Sequence, residues 1–372
     1  MTTTAGRRRW TSRLPAWTTV APVAALVALV LSWGRDLPGV AVGVVAVLLA
    51  AAVLAAVHHA EVVAHRIGEP YGSLVLAVAV TVIEVALIVT LMVSGGGKAD
   101  TLARDTVFSA VIICCAGIVG ASLLTATLRR TPEVVFNADG PRSTLATMLS
   151  LTVLCLVLPT FTTSQSSPVF TGAQLTFAAV VSIALYGLYV VAQTGRHRDY
   201  FLPVDRQGNV VAEGSHADPP SRRAAVVSLG LLAVSLVGVV GLAKVESPSI
   251  EKGVAAVGFP PSVVGIVIAL LVLLPETLAA VRAAIRGRVQ TSLNLALGSA
   301  MASIGMTIPA VALASVWLDG PVVLGLGATQ IVLLALTALV TALTVIPGRA
   351  TLLQAGVHLL LLASFVFFAV NP

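Results

Sequence analysis

Two glutamates, Glu84 and Glu276, lie deep inside long apolar stretches of the chain, and the sequences around them are similar. Glu84 follows an apolar run that begins after Gly72, and Glu276 follows one that begins after Gly265. An ionised side chain near the centre of a bilayer costs at least about 2.5 to 3.5 kcal/mol, so a buried acid there usually marks a path for ions or protons. We therefore predict that the two carboxylates form the working site. The alternative is that neighbouring groups satisfy each acid, which then serves only helix packing.

Carboxylates in a low dielectric can be neutralised either by protons or by metal cations, which compete for the same oxygens. A form with neither ligand leaves bare negative charge away from water, which disfavours its reorientation across the membrane. Two such acids therefore predict the coupled exchange of a cation for protons. The transported ions that suit this oxygen chemistry are Ca2+, Na+ and K+, and no bound cofactor is expected.

Short oxygen-bearing side chains follow each acid along the chain, and they recur in register when the two segments are aligned. In this alignment Asp105 is equivalent to Asn294. Five residues are thus secondary candidates for coordinating the cation or for shaping broken helices, namely Asp105, Ser109, Asn294, Gly298 and Ser299. The alternative is that the Ser and Gly residues only allow helices to pack closely.

The composition shows what must position these side chains. The chain has 372 residues, of which 57% are hydrophobic and 10% are charged, and its mean hydropathy is +1.00. These values are typical of an all-α polytopic membrane protein, and the continuous apolar runs do not show the alternation of a β-barrel. Windows of about 20 apolar residues suffice to cross a bilayer. Eleven are found, at 16–34, 39–62, 72–94, 104–128, 143–163, 173–194, 223–245, 260–284, 291–316, 321–346 and 350–370.

The positions of the basic residues predict the orientation of these spans. With the amino terminus in the cytoplasm, all but five of the 22 Lys and Arg residues fall on the cytoplasmic side, as topology rules require. The five exceptions are Arg35, Lys98, Arg104, Lys244 and Lys252. We therefore expect a multi-pass protein of the bacterial inner membrane with a cytoplasmic amino terminus. These loop charges also account for the net charge of +6, so nucleic acid is not an expected partner.

The chain is predicted to contain two related halves. Residues 1–38 hold the cytoplasmic amino terminus and an extra first helix, and residues 195–222 form a cytoplasmic linker. Between and after them, residues 39–194 and 223–372 each provide five spans. The Glu84 and Glu276 segments are then five spans apart, and this odd offset inverts the second copy. Inverted repeats are typical of secondary transporters, whose binding site lies near the membrane midplane. The oligomeric state is not predicted.

A second group of polar side chains, His58, Glu61 and His65, lies on one face near the predicted cytoplasmic end of the second span. We consider an interfacial network, a proton relay or cation funnel, and a catalytic metal site. The order of residues differs from the His-Glu-x-x-His pattern of zinc hydrolases. His358 and the three cysteines Cys114, Cys115 and Cys155 are interpreted as incidental or apolar filling.

The segment His59 to Ser73, which reads HAEVVAHRIGEPYGS, resembles a signature of the calcium/cation antiporter superfamily. Within that superfamily it is similar to the bacterial calcium/proton and sodium-potassium/proton antiporters of the ChaA type. The resemblance continues through Glu84, Arg104-Asp105-Thr106, Pro275-Glu276 and the stretch from Leu293 to Ser299. It implies that the acid of each repeat, here Glu84 and Glu276, binds the cation and carries protons.

The chain departs from wider members of this superfamily, which place Gly-Asn shortly before each acid. Here these positions hold Val80-Thr81 and Val272-Leu273, so each copy lacks an amide oxygen. Fewer oxygens weaken a Ca2+ site, which requires six to eight ligands. We therefore predict a cation/proton antiporter that exchanges Ca2+ for protons, with Na+ or K+ as the alternative substrate. An intramembrane enzyme and a cation channel are the alternatives of a different class.

Overall fold

The structure is a computed structural model, and it describes residues 16–35, 37–67, 71–94, 100–129, 132–166, 168–204, 220–317 and 321–372. Several features of the sequence analysis lie outside these ranges. They are the Arg-rich stretch before residue 14, residues 68–70 of the signature, Lys98, and residues 205–219 of the linker.

The described residues form eleven helices, one for each predicted span. They are α1 (Ala16–Ser32), α2 (Gly39–Ile67), α3 (Tyr71–Ser94), α4 (Leu102–Arg129), α5 (Asp139–Thr160), α6 (Gly172–Arg196), α7 (Arg222–Ala256), α8 (Ser262–Ile285), α9 (Val289–Ala314), α10 (Ala328–Val345) and α11 (Leu352–Val370). Within this part of the chain, nine of the helices are long and apolar enough to cross a membrane. The predicted all-α polytopic fold is confirmed.

The chain divides into two compact units, and the boundaries between them fall within α3 and α7. The first unit comprises residues 1–80 and 212–242, and the second comprises residues 81–211 and 243–372. In the first unit α1 packs against α2. Both glutamates and all five secondary candidates belong to the second unit, whereas the His58 cluster belongs to the first.

Helix α4 is the most buried span of the second unit, and it is not a regular α-helix. Residues Leu102–Ile112 and Val119–Arg129 are α-helical, and Ile113–Ile118 between them form a π-helical turn. Its apolar window is 89% buried, compared with 17% for α6 and 22% for α11. Because α4 is enclosed by protein, its side chains are shielded from lipid. The exposed Val and Leu side chains of α6 and α11 are suited to lipid.

In the second unit, a helix of each copy packs against the last helix of the other copy. Helix α4 packs against α11, and its equivalent α9 packs against α6, which is the equivalent of α11. The connections behave alike, because the strand Glu133–Val135 (β1) pairs with Arg349–Thr351 (β2), whereas Val169 forms a bridge with Val323. Each of these pairings joins the segment before the fourth helix of one copy to the loop after the fourth helix of the other. Such contacts are those that two inverted copies produce.

Several predicted boundaries differ from the structure, and the largest difference is at α7, which ends at Ala256 rather than at residue 245. Helix α10 begins at Ala328 rather than at residue 321, because the preceding residues are extended and Gly325 lies against Thr160 and Pro168. A Cβ at Gly325 would lie 2.4 Å from Pro168, so only Gly fits there. Helix α5 begins at Asp139 rather than at residue 143, since the Asn137 side chain accepts a hydrogen bond from its backbone N–H at 3.0 Å.

Candidate cation site

Glu84 is held inside the second unit by α3 and α9. Its side chain is 4% exposed, and its Oε1 accepts a short hydrogen bond from the Ser303 hydroxyl. Ser303 lies on α9, which belongs to the other copy. A charge-assisted hydrogen bond of this kind offsets part of the desolvation of a buried carboxylate. The first acid is therefore positioned by a donor from the second copy.

Glu276 follows Pro275 inside α8, and its Oε2 atom is buried. A proline within a helix lacks the N–H that would bond the carbonyl four residues earlier, here that of Leu271. The Thr277 hydroxyl donates to the Leu273 carbonyl at 2.7 Å. The backbone around the second acid can therefore offer a carbonyl oxygen as well as the carboxylate.

Cys114 brings the two acids into one site. It lies in the π-helical turn of α4 and is fully buried. The Glu84 and Glu276 carboxylates both lie close enough to act electrostatically on its thiol, which also forms a hydrogen bond with Ser299. Ser299 and Ser303 are four residues apart and so share one face of α9. Four helices thus contribute to one cluster, which we call the acid cluster: Glu84, Cys114, Glu276, Ser299 and Ser303.

Asp105 and Ser109 lie apart from these contacts, near the N-terminal end of α4. Asp105 accepts hydrogen bonds from Arg104 Nε and from the Thr101 hydroxyl, each at 2.9 Å. The Ser109 hydroxyl donates to the backbone carbonyl of Asp105 at 2.5 Å. Both residues line a cavity of about 190 Å3, together with residues from the starts of α8 and α10 and the end of α11. A volume of this size holds several water molecules.

Asn294 and Gly298 face α6 and the turn that follows it. The Asn294 amide donates to the Phe201 carbonyl at 2.8 Å, and its oxygen accepts from Gln290 at 3.1 Å. Gly298 faces the Tyr189 hydroxyl. Since nine residues make two and a half helical turns, Asn294 lies on the opposite face of α9 from Ser303. Of the five secondary candidates, the structure places only Ser299 in the acid cluster.

The predicted linker begins with a turn that contacts α5 and α9. Arg198–Phe201 form a 3-10 turn, whose carbonyls accept hydrogen bonds from Asn294 and Asn137. Gly140 is required beneath this turn, because a Cβ there would lie 2.6 Å from the Tyr200 carbonyl oxygen. This turn covers the N-terminal ends of α5 and α9.

In the first unit, His58 lies beside Trp17, with ring centroids 6.4 Å apart. Glu61 is half-buried and His65 is exposed one turn further along α2. The neighbouring His59 has a clear structural role, since its Nε2 contacts the Thr18 carbonyl at 2.9 Å and its Nδ1 contacts the Ser228 hydroxyl at 3.2 Å. Among the described residues, no group of three His, Cys, Asp or Glu side chains is arranged to hold a metal ion. A relay role for the cluster stays a prediction.

Sequence reasoning missed Cys114, which was interpreted as apolar filling. The internal alignment contained a signal for it, because Asp105 and Asn294 are 189 residues apart and so are Cys114 and Ser303. It also missed His358, which was interpreted as incidental. His358 is fully buried and contacts the Cys115 carbonyl and the Thr344 hydroxyl.

Comparison with known proteins identifies similar sequences over nearly the whole chain. The profile of the sodium/calcium exchanger protein family matches residues 14–195 and 227–371. A putative ionic transporter, y4hA, from Sinorhizobium fredii is 40% identical over 97% of this chain and 98% of its own. The sodium-potassium/proton antiporter ChaA from Escherichia coli is 32% identical over 93% of each chain.

Solved structures with a similar fold include two proteins of low sequence identity. Native YfkE has a TM-score of 0.72 at 16% identity, over 95% of this chain and 100% of its own. The H+/Ca2+ exchanger CAX has a TM-score of 0.70 at 15% identity, over 94% and 86% of the two chains. At such identities the likeness concerns the fold.

Proposed function

Because the chain belongs to the sodium/calcium exchanger family, we propose that it is a secondary transporter that exchanges an inorganic cation for protons at Glu84 and Glu276. The observation that carries the proposal is that both carboxylates lie close enough to the buried Cys114 thiol to act on it electrostatically. Two acids that share one buried neighbour can bind one ion between them. They can also be neutralised separately by protons.

Charge balance gives the order of the steps. With a cation bound, the carboxylates are neutralised by metal, and with the cation released, they are neutralised by protons. The empty, ionised form is disfavoured because two negative charges would remain in a low dielectric. The transporter then changes its access between the two sides of the membrane only in a neutralised form. Movement of the cation in one direction is thus coupled to movement of protons in the other.

We propose Ca2+ as the first substrate, exported as protons are taken up. One Ca2+ or two protons neutralise two carboxylates equally, so both loaded forms carry the same net charge. The Ser299 and Ser303 hydroxyls and the backbone near Pro275 are oxygen ligands of the kind that hard cations prefer. Water molecules can supply the remaining ligands.

Na+ or K+ is the second candidate, and a specific observation favours it. Asp105 and Asn294 are hydrogen-bonded elsewhere, and Cys114 supplies sulfur instead of oxygen to the acid cluster. The cluster therefore contains one side-chain oxygen fewer than it would with a hydroxyl at position 114, and this weakens a site for Ca2+, which requires six to eight ligands. The similar protein from Escherichia coli is named a sodium-potassium/proton antiporter.

We also propose that the protein lies in the bacterial inner membrane with its amino terminus in the cytoplasm. In this orientation the N-terminal end of α4 and the cavity beside Asp105 face the outside. Support for this comes from the distribution of Lys and Arg residues between loops. The cavity then provides water on the side from which protons enter.

The test is proton movement in everted membrane vesicles that are energised and then supplied with Ca2+, Na+ or K+ separately. The expected result is release of accumulated protons on adding Ca2+, measured with a pH-sensitive dye. The matched control is the double variant Glu84→Gln and Glu276→Gln, assayed at equal membrane content. Proton release only with Na+ or K+ selects the second candidate, and no release with any ion refutes exchange.

A further inference from the structure

The π-helical turn of α4 is held by hydrogen bonds that the proposed function does not explain. This turn holds the Cys114 thiol, which lies within electrostatic range of both glutamates. A π-turn has one more residue per turn than an α-helix and is less stable, so it persists where other contacts hold it. The contacts in this case come from the last two helices, α10 and α11.

The residue after Cys114 carries these contacts. The Cys115 carbonyl lies 2.8 Å from His358 Nδ1, and the Cys115 thiol forms a hydrogen bond with Thr341. A carbonyl only accepts, so Nδ1 must carry the proton and donate it. The Thr344 hydroxyl lies 3.0 Å from Nε2 and also 2.9 Å from the Val340 carbonyl, to which it donates. Both nitrogens of this fully buried imidazole therefore lie within hydrogen-bond distance of an oxygen.

The close approach of α4 and α11 permits this bond. A Cβ at Gly120 would lie 2.9 Å from the Cβ of His358 and 3.1 Å from Leu359, so α11 packs directly on the backbone of α4. Gly117 is similarly close to Leu362, with 3.2 Å for the same construction. The imidazole is therefore held in place by its backbone as well as by its two hydrogen bonds.

The equivalent helix of the other copy, α9, contains no π-helical turn. Helix α9 is α-helical from Val289 to Ala314, and it contacts the Tyr186 ring at Gly305. The bond from His358 is thus made to α4 and has no counterpart on α9. This contrast connects the histidine with the π-turn.

We propose that His358 is a positioning residue for the acid cluster: through the Cys115 carbonyl it fixes the π-turn, and the π-turn fixes Cys114 against Glu84 and Glu276. The inference rests on the proposed function for its effect on transport, but its effect on the geometry of α4 does not. His358 does not itself bind the transported ion. Loss of the His358 N–H donor should weaken cation binding at the acid cluster without preventing the protein from folding.

Three substitutions separate the two bonds. His358→Asn keeps an N–H donor near the position of Nδ1 and can still reach the Cys115 carbonyl. His358→Gln places its amide near the position of Nε2, where it meets Thr344. His358→Leu fills a similar volume without either bond. Equal amounts in the membrane and equal elution in gel filtration establish that all three fold.

The first measurement is the cation concentration that gives half-maximal proton release in vesicles. We expect this half-maximal concentration to rise by about ten-fold in His358→Gln and His358→Leu. Losses of this size are typical when a residue that orients the ligands of a metal site is replaced. The maximal rate should change less, and His358→Asn should stay close to the wild type. A purely structural role would lower the amount of protein and would leave this concentration unchanged.

The second measurement does not depend on transport. In a background carrying Cys115→Ser and Cys155→Ser, the only thiol is Cys114, and its rate of alkylation by N-ethylmaleimide in detergent reports the π-turn. We expect His358→Gln and His358→Leu to react several-fold faster and His358→Asn to react like the background protein.

The outcomes are distinct. Unchanged alkylation and unchanged cation affinity in His358→Leu overturn the positioning role, and so does an equal loss in all three variants. If the wild type releases no protons with any cation while alkylation still follows the donor, the proposed function fails and the positioning role stands.

Discussion

Helices α4 and α9 hold equivalent places in the two copies, and each serves the glutamate of the other copy. Ser303 of α9 donates to Glu84, and Cys114 of α4 lies within electrostatic range of Glu276. The alignment that equates Asp105 with Asn294 also equates Cys114 with Ser303. The two helices differ in that α4 contains a π-turn and a thiol at this position, whereas α9 is regular there and carries a hydroxyl.

This difference shows that the two acids are alike in charge but not in coordination. A hydroxyl oxygen is a suitable ligand for a hard cation, whereas a neutral thiol is a poor one. The Glu84 side of the cluster therefore offers more oxygen than its counterpart beside Cys114. Similar differences occur at the helix ends, where Asp105 is paired with Arg104 and Asn294 binds a backbone carbonyl.

The largest expected effect comes from neutralising either acid, which tests whether the copies are equally necessary. Glu84→Gln and Glu276→Gln should each reduce exchange by about 100-fold, equivalent to about 2.7 kcal/mol in the barrier, because one carrier of charge is lost. Proton release from everted vesicles measures this, with Glu251→Gln as the control. If one single variant retains wild-type exchange, the copies are unequal in function as well as in ligands.

The pH dependence tests the competition at the two acids. Since protons and cations bind the same carboxylates, the cation concentration for half-maximal exchange should fall as pH rises. The expected change is up to about ten-fold per pH unit for each proton displaced. It is measured between pH 6 and 9 in vesicles with equal internal and external pH. An affinity that does not change with pH would separate the proton sites from the cation site.

The third prediction concerns the two equivalent ligands. Ser303→Ala removes the donor to a buried carboxylate, which costs about 1.5 to 3 kcal/mol, so the half-maximal cation concentration should rise by about ten-fold or more. Cys114→Ser makes the copies alike and adds an oxygen, so this concentration should fall by a few-fold for Ca2+.

Both ligand variants are read from cation titrations at one pH, with Ser364→Ala on the exposed face of α11 as a control. A larger loss in Cys114→Ser than in Ser303→Ala would reverse the assignment of the stronger ligand.

The smallest effect tests the packing of the two helices. Gly120→Ala and Gly305→Ala each place a Cβ 2.9 Å from a side-chain carbon, so each should destabilise the protein by about 1 to 3 kcal/mol. Thermal unfolding in detergent measures this, and Gly187→Ala is the control, because nothing lies within 4 Å of a Cβ there. Only Gly120→Ala should also weaken cation binding, since it displaces His358. If Gly120→Ala and Gly305→Ala weaken cation binding equally, the π-turn does not position the site.

Much of the fold could be predicted from the sequence, because lipid requires long apolar helices with internal hydrogen bonds. All eleven helices, the two buried acids and the equivalence of Asp105 and Asn294 follow from apolar runs and their register. The assignment of helix ends was less accurate at α5 and α10. At α5 the boundary depends on the local hydrogen bond from the Asp139 N–H to Asn137, and at α10 it depends on the contact of Gly325 with Pro168, which belongs to a distant part of the chain.

The composition of the site was harder to predict. Ser303 and Cys114 reach the glutamates only because helices from both copies cross, and a single-helix pattern does not contain this information. The π-turn breaks the period of 3.6 on which such patterns depend. Its partner, His358, lies 243 residues from Cys115. Asp105 and Asn294 were aligned as equivalents, but their hydrogen-bond partners depend on neighbouring turns that the alignment does not show.

The bond between Ser303 and Glu84 has a consequence for the origin of the molecule. Each half contributes one acid and also a side chain that lies near the acid of the other half, so neither half alone contains a complete site. A chain with a single copy could form such a site only as a dimer in which the second chain is inserted in the opposite orientation.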